Sequence, residues 1–137
     1  MEIVSIHHVS LAVRDLPRAI EFYRDILELE QIERPPFDFP GAWFAVGGGQ
    51  QLHLIADESA TFRGKKPLNS RDGHFAVRVR SYRRAVEHLL AKGYRTDLDP
   101  LDPLSLRLQA RATAGFPQIY ILDPDWNVIE INAESPD

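Results

Sequence analysis

The stretch Ser5-Ile6-His7-His8-Val9-Ser10-Leu11-Ala12-Val13-Arg14 decides how the rest of the chain is read. Its alternation predicts a strand, and a strand sends successive side chains to opposite faces. Ile6, His8, Ser10 and Ala12 then share one face, and His7, Val9, Leu11 and Val13 share the other. The second face is an aliphatic stripe suited to packing under a helix. The first offers one imidazole among small residues, with room beside it. By this parity His7 belongs to the structural side and His8 to the open side.

Outward from that strand, Asp15 can cap a helix with Pro17 in its first turn. Ala19, Ile20, Phe22, Tyr23, Ile26 and Leu27 give an amphipathic helix over about 16–29. A short strand is expected at 29–34. Pro35, Pro36, Pro40 and Gly41 break regularity. Strands at 42–46 and 50–56 then flank the turn Gly47-Gly48-Gly49.

A long connection at 57–72 has no clean period, and after it the pattern restarts. Gly73 to Arg80 alternates like the first strand. Ser81 can cap a helix through about Lys92, which Gly93 ends. A strand is expected at 94–98, a strand or irregular arm at 104–111, and strands at 118–122 and 127–132 around Asp123-Pro124-Asp125.

The halves can be laid over each other. An offset of 66 places His8 on His74, Val13 on Val79, Ala19 on Ala85 and Glu21 on Glu87. An offset of 77 places His53 on Glu130, with Leu52 and Leu54 on Ile129 and Ile131. The reading is an internal duplication: a single domain over 1–137 with module one at about 4–57, a linker at about 58–72 and module two at about 73–133.

Composition sets the limits. A chain of 137 residues, 44% hydrophobic and 26% charged, suits a globular domain with a real core. Its net charge of −4 gives no basic field to recruit nucleic acid or an anionic membrane. Cysteine is absent, which excludes thiolate nucleophiles and thiolate metal ligands and accords with a cytoplasmic setting. No apolar run approaches the roughly 20 residues that span a bilayer, and no secretory signal pattern stands at the start.

Under the duplication, His8, His53, His74 and Glu130 take equivalent places opposite the aliphatic stripes. If the open faces form one cleft, three imidazoles and one carboxylate converge. That donor set suits Zn, Ni, Mn, Fe(II) or Co. Around an octahedral ion it leaves two positions for substrate, as Lewis-acid catalysis needs.

Together these residues resemble the vicinal oxygen chelate superfamily, which includes glyoxalase I, extradiol dioxygenases, methylmalonyl-CoA epimerase, and fosfomycin and bleomycin resistance proteins. The resemblance runs from Ile6-His7-His8-Val9 through Phe22-Tyr23, Gly41-Ala42-Trp43 and Gln51-Leu52-His53-Leu54. It continues through Gly73-His74-Phe75-Ala76-Val77 and Asp123-Pro124-Asp125 to Val128-Ile129-Glu130-Ile131. It implies an α+β fold of two βαβββ modules holding a divalent metal in a cleft, with His8, His53, His74 and Glu130 as ligands. It also implies a small-molecule substrate and a homodimer.

The activity implied is lyase, isomerase or thiol-transferase chemistry on an oxygen-chelating substrate. Two alternatives stand beside it: an extradiol-type Fe(II) dioxygenase, and a non-catalytic binding or resistance protein. Glu130 is the expected general base and His53 the alternative one. Glyoxalase I usually carries Glu at the second ligand position and the epimerase Gln, so His53 is a departure, either a ligand or a base. Ala12 stands where bacterial glyoxalase I typically has a glutathione-gripping Arg, which argues against strict glutathione dependence. Arg78, Arg107 and Arg111 are candidate anion contacts, and Trp43 a candidate substrate contact.

Overall fold

The structure is a computed structural model that describes residues 1–110 and 113–137. The chain divides into two compact units, Met1–Phe62 and Arg63–Asp137. Unit one runs β1 (His8–Val13), α1 (Leu16–Asp25), β2 (Glu30–Ile32), β3 (Gly41–Gly47) and β4 (Gln50–Ala56). Unit two runs β5 (His74–Arg78), α2 (Tyr82–Ala91), β6 (Arg107–Gln109), β7 (Gln118–Leu122) and β8 (Val128–Asn132). Each is a βαβββ module with one four-stranded sheet, ordered β1-β4-β3-β2 and β5-β8-β7-β6. The fold is α+β, as the repeat predicts.

The duplication holds at the level of strand register. β1 runs parallel to β4 with Ser10 opposite His53, and β5 runs parallel to β8 with Ala76 opposite Glu130. Trp43 lies opposite His53 on β3, as Tyr120 lies opposite Glu130 on β7. The offset of 66 therefore relates β1 to β5, and the offset of 77 relates β3 and β4 to β7 and β8.

Each helix starts on a side-chain cap. Asp15 Oδ1 accepts from Arg18 N at 3.0 Å and Ser81 Oγ from Arg84 N at 3.1 Å, each taking up a donor the first turn leaves unpaired. α1 packs against β3 and β4 on the aliphatic side of its sheet. Ala19, Phe22 and Tyr23 are buried with Val13, Phe44, Leu52 and Leu54 in module one, and Leu89 is buried in module two, as are Ile119, Ile121, Ile129 and Ile131.

Two expectations need correction. The first helix ends at Asp25 rather than near 29, because Glu28 turns left-handed at φ 53° and Leu29 N returns to Tyr23 O at 3.0 Å. The strand expected at 94–98 does not form; only an isolated bridge joins Arg95 to Ser105. Asp99 and Asp102 explain it. Their carboxylates accept from Leu101 N and Leu104 N, both at 2.8 Å, and Asp102 N and Ser105 N donate to Asp99 O and Asp102 O at 2.7 and 3.0 Å, so the segment facing 94–98 is wound into turns and pairs with it only at Arg95.

Gly41 marks the tightest approach in module one. A Cβ there would stand 2.4 Å from Leu54 O, so β3 and β4 can pair at this point only around glycine.

In module two the stretch after Phe62 is pinned down. Arg63 Nε donates to Asp72 Oδ2 at 2.7 Å and Nη1 to Trp126 O at 2.9 Å. Leu68 is buried with Tyr120, Leu122 and Val128, and its N donates to Pro100 O at 2.7 Å.

Candidate functional site

In module two, strand alternation puts His74, Ala76 and Arg78 of β5 on one face with Val128, Glu130 and Asn132 of β8. The β7 partners Gln118, Tyr120 and Leu122 join that face, and so does Arg107 of β6 opposite Tyr120. Glu130 is the centre of this surface and is buried.

Three donors hold the Glu130 carboxylate. Tyr120 OH donates to Oε2 at 2.8 Å, Gln118 Nε2 to Oε2 at 3.1 Å, and Asn132 Nδ2 to Oε1 at 2.7 Å. Burial pushes its pKa up. The donors Asn132, Tyr120 and Gln118, with the His74 imidazole, more than offset this and hold the carboxyl below its ordinary range. Glu130 is therefore ionised at neutral pH. Tyr120 is pushed up to about 12 by burial and by its bond to this carboxylate, so it acts as a donor.

His74 faces the same carboxylate, Nε2 to Oε2 at 3.3 Å. Its other nitrogen settles the tautomer. The Asp72 carbonyl at 2.7 Å can only accept, so His74 Nδ1 carries a proton and donates. In a neutral ring Nε2 then presents a lone pair toward an oxygen that already accepts two hydrogen bonds. A cation at that edge, a proton or a metal ion, completes the arrangement.

The chemistry of a metal ion fits this pair. Neighbouring nitrogen and oxygen ligands about 2.0–2.2 Å from one ion stand roughly 3.0–3.5 Å apart, and 3.3 Å lies in that range. The Nδ1 bond to a backbone carbonyl is the outer support a ligating histidine commonly has.

Two arginines are linked to Glu130 through amides. Arg78 Nε donates to Asn132 Oδ1 at 2.9 Å, which orients the Asn132 amide toward the carboxylate. On the other side, the Gln109 oxygen accepts from Arg107 Nε at 3.1 Å and Nη2 at 3.2 Å once its amide is turned to suit its neighbours. In that orientation the Gln109 nitrogen donates to Gln118 Oε1 at 3.2 Å, and Gln118 in turn donates to Glu130. Arg111 lies outside the described residues.

Module one builds its counterpart differently. Trp43, His53 and His8 form a stack across three strands, with Trp43 to His53 at 4.0 Å and 5° and His53 to His8 at 4.2 Å and 17°. His53 Nε2 donates to Gln51 Oε1 at 2.8 Å and leaves Nδ1 as the acceptor. Burial first, then the neighbouring His8, His7 and Arg34, pushes the His53 pKa down, so the ring is neutral. Neutral imidazole is the ligating form. Lone pairs lie in the ring plane, however, so two stacked rings meet one ion only after His8, which is exposed, turns about its side chain.

His7 does not drop out as parity predicts. Its Nδ1 is 2.9 Å from His8 Nδ1, with one ring donating to the other. β1 begins at His8, and His7 stands just before it, its carbonyl accepting from Gln51 N at 3.2 Å.

The residues expected to carry chemistry thus form two pairs, His8 with His53 and His74 with Glu130. Among the described residues, no three or more His, Cys, Asp or Glu side chains are grouped to hold a metal ion. Sequence reasoning missed Gln118, Tyr120, Asn132 and Gln109. Parity could have found the first three, since a β7–β8 hairpin turning at Asp123-Pro124-Asp125 sets Gln118 and Tyr120 beside Glu130. No helix among the described residues is long and apolar enough to cross a membrane.

Comparison with known proteins accords with this architecture. A curated relative from Arabidopsis thaliana, Glyoxylase I 4, is 31% identical over 133 residues, covering 96% of this chain and 71% of that protein. A glyoxalase/dioxygenase from Nostoc punctiforme superposes with a TM-score of 0.70 at 22% identity, covering 97% of this chain and 92% of the other. Lactoylglutathione lyase from Agrobacterium tumefaciens gives a TM-score of 0.67 at 22% identity, covering 97% and 96%. The family model for the Glyoxalase/Bleomycin resistance protein/Dioxygenase superfamily matches residues 5–131, and the chain belongs to that superfamily.

Proposed function

We propose that the protein is a divalent-metal-dependent enzyme of the glyoxalase type, acting as a lyase, isomerase or thiol transferase on a small oxygen-chelating substrate. The observation that carries this is the His74–Glu130 pair: an imidazole tautomer fixed by Asp72 O, its free nitrogen 3.3 Å from a buried, ionised carboxylate. His74 and Glu130 would hold the metal, and His8 and His53 are the further ligand candidates. When bound there, a divalent ion supplies Lewis acidity to a chelated substrate oxygen.

The chain's own part is positioning and proton transfer. Tyr120 and Gln118 fix Oε2 of Glu130, while Oε1 accepts a single bond, from Asn132. Oε1 therefore keeps a lone pair with which to take a substrate proton, and Glu130 acts as the general base. His53, neutral and with Nδ1 unprotonated, is the second basic nitrogen.

The test is direct. Metal-stripped protein is titrated with Zn(II), Ni(II), Mn(II) and Co(II) against a competing chelator, beside the variants His74→Ala and Glu130→Gln. Each variant should weaken binding by about 100-fold or more, beyond the 10–100-fold that a supporting residue typically costs. Absence of divalent binding in the wild type, or variants with unchanged affinity, refutes the reading.

One observation favours a second reading. His53 is sandwiched between Trp43 and His8 with Nε2 committed to Gln51. Left out of the ligand set, it leaves His8, His74 and Glu130, the two-histidine, one-carboxylate set of non-haem Fe(II) oxygenases. Oxygen uptake with catechols under Fe(II), retained in His53→Ala, would establish that reading over the first.

A further inference from the structure

We infer that module two contains a binding pocket for a small amphipathic carboxylic acid, its carboxylate on Arg107 and its apolar tail against Leu68, Leu98 and Leu106. That this acid is the substrate rests on the metal reading above; the binding does not.

The pocket is a cavity of about 350 Å³ whose lining includes Leu68, Leu98, Pro100, Leu106, Arg107 and Leu108. That volume is within the range of small-molecule sites, about 300–1,000 Å³, and the walls combine leucine and proline side chains with Thr96, Ser105 and the cationic Arg107. Its walls are anchored. Leu68 N donates to Pro100 O at 2.7 Å, joining two of the segments that form it, and Arg63 pins the first segment to Asp72 and to Trp126 O. Leu106 is 2% exposed and Leu68 6%, so the floor is set before any ligand arrives.

Arg107 supplies the charge. Among the described residues it meets no carboxylate, and its contacts are with the Gln109 amide oxygen. Guanidinium pairs best with a planar oxyanion, two parallel donors to two oxygens. An apolar tail beside a single cation selects an acid over an alcohol or an amine.

The pocket also lies close to the candidate site. Arg107 is opposite Tyr120, and Tyr120 is opposite Glu130, so two interstrand steps of about 4.8 Å separate the backbones of the cation and the general base. Leu68 packs with Tyr120, Leu122 and Val128, on the face that carries Glu130. An acid anchored at Arg107 therefore lies on the face that carries Glu130, two strands away from it.

The experiment titrates the full chain, metal-free, with 4-phenylbutyrate and its neutral counterpart 4-phenylbutanol by calorimetry. The wild type should bind the acid at least about tenfold more tightly than the alcohol. Arg107→Gln, at an exposed position, should reduce the acid to the level of the alcohol. Thr96→Trp, also exposed and on the pocket lining, should abolish binding of both while leaving metal affinity unchanged. No binding of the acid by the wild type, or an equal loss of acid and alcohol in Arg107→Gln, overturns the inference. A wild type that binds the acid but no divalent metal overturns the metal reading and leaves the pocket standing.

Discussion

The two modules share a register and part company in what that register carries. At one pair of equivalent places, module one sets Trp43 against His53 and holds it by stacking; module two sets Tyr120 against Glu130 and holds it by hydrogen bonds. At the next pair, module one has Gly41, where Leu54 O leaves no space for a Cβ, while module two has Gln118, which reaches Glu130. A sheet can thus be duplicated while its chemistry is rebuilt. The aromatic version keeps an imidazole neutral, and the amide version keeps a carboxylate charged.

Substitutions can break this contrast. The largest effect is expected for Glu130→Ala, which leaves three buried donors without their acceptor and should cost about 3 kcal/mol or more. His53→Ala loses stacking and one bond and should cost about 1–2 kcal/mol. Thermal unfolding monitored in both variants checks the order, and a reversed order would show that the aromatic stack is the stronger device.

Gly41→Ala should cost about 2 kcal/mol, in the range for strained backbone sites. Gln118→Ala should cost about 1 kcal/mol in stability but reduce metal affinity about tenfold, since it loosens a ligand without removing it. The caps are the control. Asp15→Ala and Ser81→Ala should each cost about 1 kcal/mol, because the two helices start in the same way.

The smallest effect sharpens the comparison through pH. In metal-free protein the folded His53 has a lowered pKa, so the unfolded chain takes up its proton first as pH falls below the ordinary 6.5. Stability is full above that value and declines as pH falls toward the folded pKa. Glu130 is also lowered, so its contribution is present above the ordinary 4.5 and is lost only as pH falls through its folded value. Acid titration of unfolding should therefore show two declines. His53→Gln should remove the one nearer neutrality and Glu130→Gln the one at lower pH.

Much of this was legible beforehand. Alternation and the repeat gave both modules, and the two offsets matched the register that sets Ser10 opposite His53 and Ala76 opposite Glu130, because period two and register are local consequences of backbone geometry. What escaped depends on neighbours distant in sequence. The Trp43–His53–His8 stack is a choice of side-chain rotamers across three strands. The burial of Leu68 comes from a stretch with no period at all. The failed strand at 94–98 shows the opposite case, in which Asp99 and Asp102 turn the segment that would have paired with it. The His7–His8 ring contact likewise depends on side-chain rotamers that parity does not set.

The parallel pairing of β5 with β8 has a consequence for the order in which module two assembles. The β7–β8 hairpin closes over a short turn, where Asp123 Oδ1 accepts from Asp125 N and Asn127 N at 2.9 and 2.8 Å, so Glu130, Tyr120 and Gln118 can meet early. His74 reaches them only when a segment spanning α2 and β6 has been looped back, a closure whose entropy is met late. The His74–Glu130 contact is then a clock as well as a site: its formation reports that a long loop has closed onto the hairpin.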